Sequence, residues 1–193
     1  MESKDVFVFG DSLVYGNNDY EKGGWVNRLR LKLEGIDPNK NSYVFNLGIP
    51  GNNTNDLVKR FDTECSIRSQ KAENLIIIFG IGANDVKKIY TGETTEETFK
   101  ENIYTLIKDA KKYTNKIAFI GLIKADENIR EEYKNEKIIE IDNTLKEICN
   151  KENVKYIYMY DAVEKEDLTD GLHANSTGHQ KMFERVFEVV KDM

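Results

Sequence analysis

The sequence predicts an α/β protein, a three-layer α/β/α sandwich built on a five-stranded parallel sheet, and three observations predict it. Short apolar segments alternate strictly with longer stretches whose apolar residues recur at helical spacing. One short segment, Leu75-Ile76-Ile77-Ile78-Phe79, is apolar throughout, the pattern of a strand covered on both faces and lying near the centre of a sheet. The stretches that follow these segments are rich in glycine and asparagine, which allow the tight turns such connections need.

Each element follows from local pattern. Val6-Phe7-Val8-Phe9 reads as the first strand, which stops at Gly10 and passes at once to Asp11, Ser12 and Leu13. Trp25, Val26, Leu29 and Leu33 form a helical stripe that ends near Gly35 and Pro38. Tyr43 to Leu47 is a second short strand, and Leu57, Val58 and Phe61 mark the next helix. After the central strand, Thr95 starts a helix with core positions Phe99, Ile103, Leu106, Ile107 and Ala110, and Lys116 to Ile123 reads as the fourth strand. Lys124 to Glu136 is a charged connection, open to reading as a lid or as plain surface. Ile138, Ile141, Leu145 and Ile148 make a further helix, Val154 to Tyr160 a fifth strand, and Met182, Phe183, Val186, Phe187 and Val190 a closing helix. The expected count is five strands and about five helices, joined by right-handed crossovers.

With 193 residues, two prolines, no repeat and no low-complexity tract, the chain reads as one domain over residues 1–193. A net charge of −6 argues against nucleic acid or an anionic membrane as partner. Met1 to Asp5 runs straight into the first strand without a basic region followed by an apolar one, so a cytoplasmic location is expected. The longest apolar stretch, Leu75 to Ala83, is too short to span a bilayer, so no membrane insertion is expected. Cys65 and Cys149 fall on apolar helix faces and read as buried thiols, not as a metal knuckle or a redox pair. No feature specifies an oligomeric state.

In parallel sheets ligands gather beyond the carboxyl ends of the strands, and that rule selects the loops to examine. The first gives Gly10-Asp11-Ser12-Leu13, the second Gly48-Ile49-Pro50-Gly51-Asn52-Asn53, the third Gly80-Ile81-Gly82-Ala83-Asn84-Asp85 and the last Asp170-Gly171-Leu172-His173. Alone, each is ordinary turn chemistry. The third resembles the start of a dinucleotide fingerprint, but Asp85 stands where its last glycine belongs, and no Gly-Lys pair exists to form a P-loop. The last loop holds one of only two histidines, three residues from an aspartate; in a helical turn the acid would orient the imidazole, which could then take the proton of a serine hydroxyl. That makes Ser12 the candidate nucleophile. His179 lacks an acid at matching spacing and reads as a surface or packing residue, with Asn175 or Ser176 capping its helix.

Four such blocks, in this order and at four strand ends, resemble the GDSL, or SGNH, hydrolase family across nearly the whole chain. The resemblance implies a flavodoxin-like SGNH-hydrolase fold and a serine esterase that uses neither cofactor nor metal. It implies Ser12 as nucleophile, His173 as base and then acid, and Asp170 as the group that orients it. The oxyanion hole implied comprises the Ser12 amide, the Gly51 amide and the Asn84 side chain, with Gly48 as competitor to Gly51. No Gly-x-Ser-x-Gly elbow surrounds Ser12, which separates the chain from the α/β-hydrolases. Asp11 and Asp85 read as acceptors that fix their loops.

The expected rim of Tyr15, Asn17, Asn18, Asp19, Tyr20, Asn52 and Asn53 is polar, which suits a small-molecule ester with a short acyl group on a polar alcohol, such as an acetylated carbohydrate. Tyr15, Tyr20 and Trp25 could instead line an acyl pocket, giving a lysophospholipase or thioesterase. Two readings from other classes are a non-catalytic small-ligand-binding flavodoxin-like domain, and a metal-dependent hydrolase gathering Asp11, Asp85, Asp170 and His173 around one ion.

Overall fold

Five parallel strands lie side by side in the order β2-β1-β3-β4-β5 in a computed structural model that describes residues 3–35 and 42–193. They are β1 (Asp5–Gly10), β2 (Tyr43–Gly48), β3 (Ile76–Gly80), β4 (Ile117–Ile120) and β5 (Lys155–Ile157). Because successive side chains point to opposite faces, each inner strand supplies both core layers. Phe7, Phe9, Ile77, Phe79 and Phe119 face one way, while Val6, Val8, Ile76, Ile78, Ala118 and Ile120 face the other. The first layer is aromatic, with the Phe79 and Phe119 rings stacked 4.6 Å apart, and the second is aliphatic.

Seven α-helices are found among the described residues: α1 (Ser12–Tyr15), α2 (Gly24–Glu34), α3 (Thr54–Ser69), α4 (Ala83–Tyr90), α5 (Glu96–Ala110), α6 (Asn135–Lys151) and α7 (Ser176–Val190). The core residues of α1, α2 and α7 cover the aliphatic face, and those of α3 to α6 cover the aromatic one. This is the expected α/β/α sandwich, with the Leu75–Phe79 run supplying the central strand. Pro38 lies outside the described residues.

The differences from expectation are local. Helices α1 and α4 were not foreseen, because four residues are too few to show a period and α4 begins inside a glycine- and asparagine-rich block. The ladder of β4 ends at Ile120, although Leu122 and Ile123 stay buried beyond it, and β5 pairs over only three residues at the sheet edge. Cys65 and Cys149 are buried free thiols, each pushed up to about 12 by burial.

Two features of the sheet prepare the site. The chain leaves β1 toward β2 and later returns to the other side of β1 as β3, so the crevice at the carboxyl ends of β1 and β3 is the topological switch point. There Gly10 lies level with Gly48 on one side and Gly80 on the other. A Cβ on Gly10 would fall 2.1 Å from the Gly80 carbonyl oxygen, and one on Gly48 would fall 2.3 Å from the Tyr15 nitrogen. Three bare strand ends thus let α1 sit directly on the sheet.

Candidate active site

Helix α1 starts one residue after β1. Asp11 caps it, its carboxylate accepting the Leu13 N–H at 2.9 Å, and Ser12 becomes the first helical residue. A backbone N–H at that position has no intrahelical acceptor, so the Ser12 amide is free to donate toward the loop ends. The side chain of Ser12 reaches across to the last loop, where its Oγ lies 2.8 Å from His173 Nε2. On the other side of the ring, His173 Nδ1 lies 2.8 Å from Asp170 Oδ2. A neutral imidazole that donates from Nδ1 to the carboxylate presents its Nε2 lone pair to the serine hydroxyl.

Residues 170–173 form a bend rather than the helical turn considered above. The bend does the same work. Gly171 takes a positive φ of 81°, and Asp170 Oδ1 accepts the N–H groups of Leu172 at 3.2 Å and His173 at 2.8 Å. Burial tends to raise the Asp170 pKa, but these amides and the His173 ring outweigh it and hold the carboxyl well below the usual carboxylate range. It therefore faces His173 as an anion.

The three expected oxyanion donors follow the ends of three neighbouring strands, β1, β2 and β3. Gly51 has φ +83°, nothing within 4 Å of where a Cβ would sit, and an amide without a hydrogen-bond partner among the described residues. Gly48, its competitor, already donates its N–H to Asn46 Oδ1 at 3.0 Å. Asn84 donates one Nδ2 hydrogen to the Asn52 carbonyl at 2.9 Å and keeps the second, while its Oδ1 accepts the Tyr133 hydroxyl at 3.3 Å.

The carboxylates Asp11 and Asp85 fix loops, as expected. Asp85 accepts the Thr54 N–H at 3.0 Å and the Thr54 hydroxyl at 2.5 Å, tying the start of α4 to the start of α3. Burial pushes Asp11 up to about 7 and Asp85 up to about 6. Asp11 and Asp85 thus hold the starts of α1, α3 and α4 while Asp170 and His173 bond each other, and no group of three or more metal-ligating side chains gathers among the described residues.

Several expectations are corrected by burial. Asp19, expected at the rim, is buried in an ion pair with Arg28; desolvation raises its pKa, but Arg28 and the Gly24 and Lys22 amides together outweigh it and hold the carboxyl low. Asn53 is buried as the cap of α3, and Trp25 is fully buried in the aliphatic core, so it offers no surface to an acyl chain. Tyr15, Asn17, Asn18, Tyr20 and Asn52 remain accessible. His179 is a packing residue, fully buried, its Nδ1 accepting the Trp25 N–H and its Nε2 donating to the Asn17 carbonyl. Burial lowers its pKa, so it stays neutral. Asn175, not Ser176, caps α7.

Residues that sequence reasoning missed also reach the site. Arg60 of α3 donates to Asn52 Oδ1 at 2.8 Å and to the Gly10 carbonyl at 3.0 Å, pinning the Gly51 loop to the end of β1. Arg130 and Tyr133 come from the charged connection 124–136, which is therefore not idle surface. The one available signal was Tyr133 itself, an aromatic residue in an otherwise charged run.

An α/β/α sandwich that joins Ser, His and Asp in one relay at its switch point has the build of a hydrolase with a serine nucleophile. The chain belongs to the GDSL-like lipase/acylhydrolase family, whose family model matches residues 6–186. A curated relative, the uncharacterized lipoprotein YqeF of Bacillus subtilis, is 34% identical over 117 residues, which is 57% of this chain but only 44% of that protein. Among solved structures, the lipase/acylhydrolase of Enterococcus faecalis shares 24% identity at a TM-score of 0.80, covering 100% of this chain and 96% of its own. A G-D-S-L family lipolytic protein of Veillonella parvula gives 17% and 0.78, with 99% and 100% covered. An acetylxylan esterase of Geobacillus stearothermophilus gives 18% and 0.75, with 97% and 94% covered. These likenesses show the fold.

Proposed function

We propose that the chain is a serine esterase that cleaves a carboxylic ester through an acyl-enzyme, with Ser12, His173 and Asp170 as its triad. The observation that carries this reading is the unbroken relay Ser12 Oγ, His173 Nε2, His173 Nδ1, Asp170 Oδ2, with 2.8 Å at each hydrogen bond. Ser12 Oγ attacks the ester carbonyl while His173 Nε2 takes its proton. The Ser12 and Gly51 amides and the free Asn84 Nδ2 hydrogen receive the developing oxyanion. His173 then protonates the departing alcohol oxygen, leaving the acyl group on Ser12. Water attacks next, giving its proton to His173, and the collapse returns that proton to Ser12 and frees the acid.

The substrate we favour is a short acyl ester of a polar alcohol such as an acetylated carbohydrate. The apolar cavity lined by Leu13, Ile81, Ile120, Leu122 and Met182 holds only about 20 Å³, room for about one water and not for an acyl chain. A shallow depression of about 480 Å³ lies instead on the loop that follows α1, among Tyr15, Asn17, Asn18, Asp19 and Tyr20, and offers amides and exposed rings to a sugar. The fold shared with an acetylxylan esterase agrees with this reading.

The test is hydrolysis of p-nitrophenyl esters from acetyl to long acyl chains, together with acetate release from acetylated xylooligosaccharides, by the wild type and Ser12→Ala. Activity on acetyl esters that is lost in Ser12→Ala supports the proposal. Preference for long chains would favour a lysophospholipase or thioesterase, and activity surviving in Ser12→Ala would overturn the mechanism.

A further inference from the structure

We propose that the turn from Asp126 to Tyr133 is a positioning brace that holds the triad acid and the oxyanion asparagine at once, through Arg130 and Tyr133; this rests on the serine-esterase reading above. Arg130 grips Asp170 at two points. Its Nη2 donates to Oδ2 at 2.8 Å, the same oxygen that accepts from His173, and its Nε donates to the Asp170 backbone carbonyl at 3.0 Å. A planar guanidinium fork fixes both the carboxylate and the backbone that carries it, which a point charge cannot do.

Three residues on, Tyr133 is 4% exposed, and its hydroxyl meets Asn84 Oδ1 at 3.3 Å. That bond sets which end of the Asn84 amide is the donor, and so aims the Nδ2 hydrogen. The two grips have a fixed spacing, because the Tyr133 N–H donates to the Arg130 carbonyl at 3.0 Å. The turn is itself anchored. Asp126 N–H donates to the Gly171 carbonyl at 2.8 Å, and Asn135 closes the segment by exchanging two hydrogen bonds with the Ala125 backbone. Gly171 also admits the turn closely, since a Cβ there would fall 2.9 Å from Ile129 Cβ.

Two effects of Arg130 compete. Its positive charge beside Asp170 opposes the imidazolium that forms on His173 during attack, whereas its fork keeps the carboxylate aligned with Nδ1. Misalignment of a triad acid costs far more than a partly screened charge, so the fork decides the sign.

The experiment compares kcat and KM on p-nitrophenyl acetate for Arg130→Gln, Arg130→Lys and Tyr133→Phe, each alone and in the Asp170→Asn or Asn84→Ala background, with melting temperatures as a check on folding. Arg130→Gln and Tyr133→Phe each lower kcat about tenfold with KM nearly unchanged, the size of one hydrogen bond lost from groups whose alignment matters in the transition state. Arg130→Lys stays impaired, because it keeps the charge and loses the fork. In the Asp170→Asn background the Arg130 changes cost nothing further, and in Asn84→Ala neither does Tyr133→Phe. Wild-type kcat in the single variants, or equal losses in the double-mutant backgrounds, would overturn the brace. If Arg130→Gln does not fold, Arg130→Lys gives the same reading. Ser12→Ala separates the two levels: its full activity would sink the esterase reading, whereas an inactive Ser12→Ala beside unimpaired brace variants sinks the brace alone.

Discussion

Asn84 shows how a single side chain acquires a role from its neighbours. Both ends of its amide are engaged, Oδ1 by Tyr133 and one Nδ2 hydrogen by the Asn52 carbonyl, so the remaining hydrogen has one direction to point. Such a donor needs no reorganisation when an oxyanion forms, and loss of one costs on the order of 2.7 to 4 kcal/mol of transition-state stabilisation. Asn84→Ala is therefore expected to lower kcat about a hundredfold or more with the fold intact, measured by steady-state kinetics beside a melting curve; a kcat within about threefold of wild type would remove Asn84 from the mechanism. At this scale the sequence was legible where motif and chemistry coincide. Ser12, Asp170 and His173 could be named in advance because a hydroxyl, an imidazole and an acid stood at three loop positions. Arg60, Arg130 and Tyr133 could not, because arginine in a charged run looks like solvated surface and nothing local says which loop it will meet.

Among the elements, α1 matters most, since it carries the nucleophile on four residues and depends on what lies beneath it. Gly48 of the edge strand β2 makes that seat possible. Gly48→Ala would place a Cβ 2.3 Å from the Tyr15 nitrogen and 2.8 Å from the Asp11 carbonyl oxygen, both backbone atoms that cannot swing away. Overpacking of this kind costs about 1–3 kcal/mol, and the strain is relieved by lifting α1. Gly48→Ala is expected to lower both the melting temperature and kcat, whereas Gly51→Ala, with open space at its Cβ but φ +83°, is expected to suffer chiefly through backbone strain. A Gly48→Ala variant that keeps wild-type stability would show that the seat has slack. The strands and long helices were legible because burial on two faces or on one stripe prints a period. The helices α1 and α4 print none, and the ends of β4 and β5 depend on where a partner strand stops.

For the whole molecule, the buried acids beneath the loops set a pH response. Asp11 has an ordinary value of 3.8 and is pushed up to about 7, chiefly by burial, with Asp85 pushed up to about 6. A raised carboxyl pKa means that the native state holds a proton which the unfolded chain releases. This stabilisation is complete below about pH 4 and is lost as pH rises through about 7. Thermal stability attributable to these groups is thus expected to fall between about pH 4 and 7, and Asp11→Asn, which keeps an acceptor for the Leu13 N–H, is expected to flatten that fall. An unchanged slope in melting temperature against pH would contradict it. The thiols of Cys65 and Cys149, pushed up to about 12 and buried, are expected to resist a thiol reagent until denaturant is added. The sequence by itself determined the layers, the central strand and the strand-end loops that carry Ser12, Asp170 and His173, because periodicity and motif order are properties of neighbours along the chain. Only the tertiary structure decided that Asp19 is a buried ion pair, that Trp25 belongs to the core, that Gly51 rather than Gly48 keeps a free amide, and that the 126–133 turn holds Asp170 and Asn84. Each of those depends on which groups from distant segments meet, and burial and hydrogen bonding between them are settled by packing rather than by local pattern.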